Sequence, residues 1–482
     1  MASEIEKSVP ATPLVVLSPE QVARAKDEEQ EKRAKERAER GKQRDEHIAR
    51  QKAIEEAGGK DAWIAAELRA KGLVVDEQGS QVADADKASF KERKKAEAKE
   101  TRALEKLVWL AYKATHVTHV GAGIYFRDTD DEMPADKDAR VARARDHDLS
   151  ELDSVPALAK ALGLTPPVLR WMCFHRDVEA STHYKYWTIP KRDGSRRTIT
   201  APKSELKAVQ RWLLRNVFEK LPVHHAAHGF LAARSIASNA RVHAGADVIV
   251  KVDVKDFFPT ITWKRVKGLV RRAGLPESVA TLVALLVTEA PREIVQFRGK
   301  TLYVAKGPRA CPQGAPTSPA ITNAICFRMD KRLMGLARMF GFSYTRYADD
   351  LAFSWRQKSK KGAAQAPVGA LLHGVRRILE AEGFRVHQKK TTVMRTGGTQ
   401  RVTGLVVNEV PASSGVPAAR VPRDVIRRLR AAIFNREKNR PTKEGETLDQ
   451  IKGMAAFVYM TDEKRGRAFL DRIAALEARA TT

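Results

Sequence analysis

The chain has 482 residues, with 87 Lys and Arg against 59 Asp and Glu, and a net charge of +28. That length exceeds one ordinary domain, and that charge points to a polyanionic partner without separating a nucleic-acid enzyme from a packaging or ribosomal protein. No apolar run approaches the roughly 18 residues of a membrane span, no basic-then-apolar leader opens the chain, and Cys173, Cys311 and Cys326 lack zinc spacing, so a cytoplasmic, reducing setting with no membrane and no structural metal is expected.

Residues 1–100 carry 21 basic and 22 acidic side chains, so the whole positive excess lies beyond them. From Gln21 to Glu56, acids and bases interleave in an Ala-rich stretch without Pro, which predicts a long exposed helix lacking coiled-coil heptads. Gly58-Gly59 ends it, a short segment with Trp63 and Leu68 follows, and a second charged stretch begins near Lys87. Leu104, Val108, Leu110 and Tyr112 then predict a helix that packs on something. Residues 1–85 are expected to be a partly ordered appendage. His116, His119, Gly121, Gly123 and Tyr125 lie in a run suited to touching RNA, with too few ligands for a metal.

Asn239 and His243 stand four apart, as on one helix face, a spacing that suits stabilising a fold or touching RNA better than catalysis. Val250, Val252 and Val254 alternate with Lys251, Asp253 and Lys255, predicting a half-buried strand with Asp253 on its polar face near the C-terminal end. Of Phe257 and Phe258, one is expected in the core. Gln313-Gly314 suits a close backbone approach. Ser318-Pro319 predicts an N-cap and a first helical residue, followed by a core stripe of Ile321, Ile325, Met329 and Leu333.

Phe342, Tyr344 and Arg346 alternate into Tyr347-Ala348-Asp349-Asp350, and Leu351, Phe353 and Trp355 alternate out of it, which predicts a hairpin. Its tip can aim two acids at one divalent cation, although Asp-Asp alone is common in turns. With Asp253 added, three carboxylates on two strands are what metal-assisted nucleotidyl transfer needs. Near the C-terminus, Val421-Pro422-Arg423-Asp424 opens a helix with Val425, Ile426, Leu429 and Ile433 apolar. Arg427, Arg428 and Arg430 face outward there, suited to phosphates but carrying no base specificity.

From about Asp148 onward the chain resembles the reverse transcriptases, and within them the retron type. The resemblance is carried by six motifs in order. They are Ile189-Pro190-Lys191-Arg192-Asp193-Gly194 with Arg196 to Ile199, Val252 to Phe258, Pro312 to Pro319, Tyr347 to Asp350, Lys389-Lys390-Thr391, and Val402-Thr403-Gly404-Leu405. Asn239-Ala240-Arg241-Val242-His243 matches the retron NAxxH signature, and Val402-Thr403-Gly404 is a second retron mark. Group II intron and diversity-generating reverse transcriptases are the nearest alternative, but no zinc-binding or endonuclease tail is visible. An RNA-binding scaffold with vestigial polymerisation is the alternative from another class, and intact Asp253, Asp349 and Asp350 argue against it.

The resemblance implies an α+β right-hand polymerase. Residues 1–145 would be a charged helical extension, 146–248 the fingers and start of the palm, 249–410 the palm with the carboxylates and primer grip, and 411–482 a helical thumb. It implies that Asp253 and Asp349 hold two Mg²⁺ ions, replaceable by Mn²⁺, with the Val254 carbonyl assisting and Asp350 as the weaker ligand. Lys191, Arg197, Asp256, Phe257, Phe258, Gln313, Gly314 and Lys390 would meet the nucleotide, Phe258 by excluding the 2′-hydroxyl. Asn239, His243, Gly404, Leu405, Arg427 and Arg428 would meet RNA or primer. The partners implied are deoxynucleoside triphosphates, a dedicated noncoding RNA that is both primer and template, its branched msDNA product, a host RNase H and an effector protein. The setting implied is a bacterial cytoplasm and defence against phage.

Overall fold

The computed structural model describes residues 19–74, 87–127, 133–190, 194–357, 365–408, 419–441 and 446–481. The chain divides into two compact units, one formed by residues 1–118 with 165–169 and the other by 119–164 with 170–482. Among the described residues, no helix is long and apolar enough to cross a membrane.

The first unit is helical. A helix runs from Pro19 to Glu56, where Gly58 and Gly59 turn the chain with φ of 86° and 119°. Such positive φ angles carry little penalty in a residue without a Cβ. Helices Lys60–Ala70 and Lys87–Thr115 follow. Ile54, Trp63, Ile64, Leu68, Leu104 and Ala111 form their shared buried core, with Leu107 and Val108 packed against it. The expected packing helix is present, although Leu107 and Ala111 enter the core where Leu110 was expected. The expectation of a partly ordered appendage misses this core. Charge density masked Ile54 and Ile64, and Trp63 and Leu68 by themselves were too few to stand out as a periodic pattern.

The second unit is mixed α and β. Its strands are β1 (Val178–Glu179), β2 (Tyr184–Pro190), β3 (Arg196–Pro202), β4 (Val248–Asp253), β5 (Arg292–Phe297), β6 (Lys300–Ala305), β7 (Phe342–Tyr347), β8 (Asp350–Trp355), β9 (Thr392–Arg395), β10 (Arg401–Val402) and β11 (Leu405–Val406). The central sheet has the order β7-β8-β4-β9 and is antiparallel throughout. In β4, Val248, Ile249, Val250 and Val252 are buried while Lys251 and Asp253 are half-buried, the period-two pattern of a strand covered on one face at its far end.

On the sheet face that also carries Lys251 and Asp253, helix Ile236–His243 and helices Arg423–Glu437, Leu448–Tyr459 and Glu463–Thr481 enclose one apolar cluster that includes Ile249, Ala352, Val402, Leu405, Leu429 and Phe469. The stripe Ile321, Ile325, Met329 and Leu333 spans two helices, Ser318–Ile325 and Phe327–Met339, and is buried except for the half-buried Ile325. The N-cap is Thr317, one residue earlier than expected. Ser318 is already helical, and its hydroxyl donates instead to the Pro312 carbonyl at 2.8 Å.

Candidate active site

The two-residue link between β7 and β8 is Ala348-Asp349, and its strand residues Tyr347 and Asp350 pair across the turn. On the other side of β8, Asp350 pairs directly with Asp253 at the end of β4. Directly opposed residues in an antiparallel pair share a face, so both carboxylates rise from the same side of the sheet. The turn is tied to β4 through the main chain, where the Val254 N–H donates to the Asp349 carbonyl at 3.0 Å. The expected convergence of Asp253, Asp349 and Asp350 is therefore built from backbone pairing.

Each strand carboxylate has a lysine partner. Lys251 Nζ lies 2.9 Å from Asp350 Oδ2, and Lys390 Nζ lies 3.3 Å from both oxygens of Asp253. Burial is the main cause holding the Asp349 carboxyl above its ordinary pKa, with the charges of Asp253 and Asp350 adding to it. Burial also raises Asp350, and Lys251 opposes that rise. Among the described residues, no three His, Cys, Asp or Glu side chains form a ready metal cage; Asp350 turns to Lys251 and Asp253 to Lys390. The donor set still fits Mg²⁺, which is commonly held by one or two carboxylates together with substrate phosphates. Like charges crowded on a half-buried surface raise the carboxyl pKa values, a repulsion that a bound cation would relieve.

The turn rests on an unusual support. Arg346 and Asp330 form a fully buried pair, with Nη2 2.8 Å from Oδ2 and Nε 2.9 Å from Oδ1. Tyr344 donates to the same Asp330 at 2.7 Å, and Arg346 Nη1 reaches Asn323 Oδ1 at 3.0 Å and the Ala348 carbonyl at 3.2 Å. Residues Ala226 to Phe230 run along the free edge of β7, with Arg346 N–H donating to Ala226 O and His228 N–H to Arg346 O, each at 2.8 Å. Asn323 Nδ2 donates to the Gly229 carbonyl at 2.9 Å. Asp330, Arg346, Asn323, Gly229 and Lys251 were not singled out from the sequence as site residues. Lys251 and Arg346 lie in the alternating strand runs beside the acids, which was the only signal.

Arg197 is exposed on β3 opposite Ile189, while Lys191 lies outside the described residues. Asp256 is exposed at φ 47° in the turn after β4, and Phe257 is buried against Phe384, with ring centroids 5.5 Å apart. Phe258 is the half-buried member, its ring edge-on to Phe257 at 5.7 Å. The expected role of Phe257 at the nucleotide is thus corrected, because its ring fills the core. Gln313 accepts from Thr200 N–H at 2.7 Å, and a Cβ on Gly314 would stand 3.0 Å from Thr200 O, so the loop lies hard against β3.

Three of the expected RNA contacts are also corrected. Asn239 and His243 are 1% and 0% exposed, and Leu405 is 0% exposed. His243 joins the helix Ile236–His243 to the hairpin, with Nδ1 2.8 Å from Ser354 Oγ and Nε2 2.7 Å from Thr345 Oγ1. Burial pushes its pKa down to about 3, so the ring is neutral. Leu405 belongs to the apolar cluster that includes Ile249 and Ala352. Gly404 is exposed at the β10–β11 turn beside Thr403, with φ of 85° and 46°, and Arg427 and Arg428 are exposed on their helix.

Comparison with known proteins gives the family. Residues 189–420 match the family of reverse transcriptases (RNA-dependent DNA polymerases). Retron Mx162 reverse transcriptase of Myxococcus xanthus is 56% identical over 100% of this chain and 99% of its own length, so the likeness includes the N-terminal extension. Retron Mx65 reverse transcriptase of the same organism is 41% identical over 65% of this chain and 70% of the relative. Retron Ec86 reverse transcriptase of Escherichia coli is 29% identical over 70% and 93%. Among solved structures, a telomerase from Candida albicans aligns over 82% of this chain and 69% of its own at 12% identity and a TM-score of 0.36, too distant to carry an argument.

Proposed function

The chain belongs to the retron reverse transcriptases, RNA-directed DNA polymerases, and from that premise we propose that it copies part of a dedicated noncoding RNA into a branched, RNA-linked single-stranded DNA. Synthesis starts from the 2′-hydroxyl of an internal guanosine in that RNA and uses deoxynucleoside triphosphates. The observation that carries the catalytic part is the cross-strand pair Asp253 and Asp350 with Asp349 in the adjoining turn. In this reading residues 146–248 act as fingers, 249–410 as palm and 411–482 as thumb of a right-hand polymerase, with 1–145 as an added extension.

Asp253 and Asp349 would hold divalent metal, Mg²⁺ or in its place Mn²⁺, aided by the Val254 carbonyl, while Asp350 sets the local charge. Bound metal supplies a lowered pKa for the attacking hydroxyl and charge stabilisation for the leaving pyrophosphate. The chain's own contribution is positioning. Lys191 and Arg197 neutralise the triphosphate, and Lys390 lies within reach of the same charge. Asp256 and Gln313-Gly314 shape the floor, and Phe258 excludes a 2′-hydroxyl. Gly404 at its turn and Arg427 and Arg428 on their helix face primer and template phosphates. A host RNase H trims the RNA, and an effector protein couples the product to defence against phage in a bacterial cytoplasm.

The test uses cells carrying the gene with its flanking DNA. Nucleic acid is extracted, digested with RNase and run on a denaturing gel, comparing the intact protein with Asp349→Ala. A discrete short DNA that requires Asp349 is expected. If no band forms while the purified protein copies a supplied primed RNA, the self-primed reading is wrong and only the general polymerase activity stands.

A further inference from the structure

At the open end of the β2–β3 hairpin lies a cavity of about 750 Å³. His183 and Lys203 flank the hairpin there and line the cavity, and Lys203 N–H donates to the His183 carbonyl at 2.8 Å. Five residue steps along β2 separate this end from the level of Arg197, roughly 17 Å at the rise of a strand. The cavity is therefore a different place from the expected triphosphate grip.

Three rings face it. Trp171 is 53% exposed and meets the His183 ring edge-on at 4.2 Å, and His183 Nε2 is 3.2 Å from the Trp171 carbonyl. Burial lowers the His183 pKa, so this ring is an uncharged wall at neutral pH. The guanidinium groups of Arg170 and Arg176 lie 4.8 and 5.0 Å from the centroid of the third ring, Phe174. Lys203 adds an exposed ammonium. Two carboxylates share the lining. Glu179 is 3.2 Å from Arg292, which offsets its charge, and the other is Glu205. An exposed indole face flanked by fixed cations suits a base that stacks and phosphates that pair, and the volume is that of a small-ligand site.

We propose that this cavity holds one unstacked nucleotide of a strand bound by the enzyme, its base against Trp171 and its phosphates on Arg170, Arg176 and Lys203. The inference rests on the reading that a nucleic-acid strand is bound, and adds a second anchor away from the carboxylates. Such an anchor would fix the register of a single strand without reading its sequence.

The full chain is irradiated with a short single-stranded RNA carrying 5-iodouridine, and in parallel with the DNA counterpart carrying 5-iododeoxyuridine, and adducts are mapped by mass spectrometry. Adducts on Trp171 or Phe174 are expected, with binding about tenfold weaker in Trp171→Ala and nearly normal in Trp171→Phe. An RNA signal assigns the nucleotide to the template and a DNA signal to the product, and either supports the anchor. Extension of a supplied primed RNA is read separately, and Trp171→Ala should keep its kcat, so a defect in the polymerase centre is told apart from loss of the anchor. Should Trp171→Ala fail to fold, Arg176→Gln and Lys203→Gln, both at exposed positions, carry the binding measurement instead. Adducts confined to other regions, or variants that bind like the parent, overturn the proposal.

Discussion

Gly229 lies so close beneath Ala348 that a Cβ on it would stand 2.8 Å from the Ala348 amide nitrogen, nearer than real Cβ atoms come to backbone. The space, not an unusual φ, demands glycine at this position. Gly229→Ala must push the Asp349 turn away from the edge segment that supports it. We expect a loss of about 1–3 kcal/mol in stability and at least a tenfold fall in kcat, with RNA binding kept. Wild-type polymerisation in this variant would show that the turn does not depend on its support.

Asp349→Asn should abolish DNA synthesis while raising the Tm of the metal-free protein by about 1–3 °C. The sign follows from the raised carboxyl pKa, caused first by burial and then by Asp253 and Asp350. Folding favours the protonated form, so the charged group costs stability at neutral pH and the cost fades as pH falls through the raised pKa. A neutral amide removes that cost at every pH. A lower Tm in the variant would mean that the carboxylate supports the fold.

His243→Ala strands two buried hydroxyls, Ser354 and Thr345, and should cost about 2–4 kcal/mol. The pH dependence is a sharper check. With a folded pKa near 3 for His243 and near 4 for His228, the unfolded chain binds more protons between those values and the ordinary imidazole pKa. Stability is then full above about pH 6.5 and is lost as pH falls below it, by at most about 1.4 kcal/mol per pH unit per histidine. Acid titration of the unfolding free energy should be shallower in His243→Asn than in the parent.

Asp330→Ala leaves the Arg346 guanidinium buried without its counter-charge, at a cost of about 3–5 kcal/mol. The loss should exceed that of Tyr344→Phe, which removes only one hydrogen bond to the same carboxylate. Urea unfolding of the two variants orders them, and equal losses would mean that the ion pair adds nothing beyond the tyrosine contact.

Phe258→Ala opens the half-buried position after β4 without emptying the core that Phe257 and Phe384 fill. Ribonucleotide incorporation should rise by at least tenfold with Tm little changed. Unchanged discrimination in primer extension would assign the gate to another residue.

The alternation of Val250, Val252 and Val254, and that on both sides of Asp349-Asp350, is a local pattern, so β4 and the hairpin were legible from sequence, as was the helix opening at Arg423. The pairing of Asp330 with Arg346 was not, since a buried charge pair has no period and looks like two surface residues. Asn239 and His243 sat in a family signature, and their spacing suited stabilising the fold as well as touching RNA; burial favours the first of these. Their burial becomes sensible only once Ser354 and Thr345 are brought opposite the ring by strand pairing. Leu405 follows the exposed Gly404, but it pairs with Val402 across the two-residue turn and both are buried.

The two lysines have a consequence for how the centre rests between turnovers. Lys251 on Asp350 and Lys390 on Asp253 give two of the three acids a counter-charge. Loading the site is then an exchange of counter-ions on a finished surface. The ion must displace both ammonium groups as it binds, so part of its Coulombic gain is offset, which favours weak, fast-exchanging metal that can arrive with a triphosphate and depart with pyrophosphate.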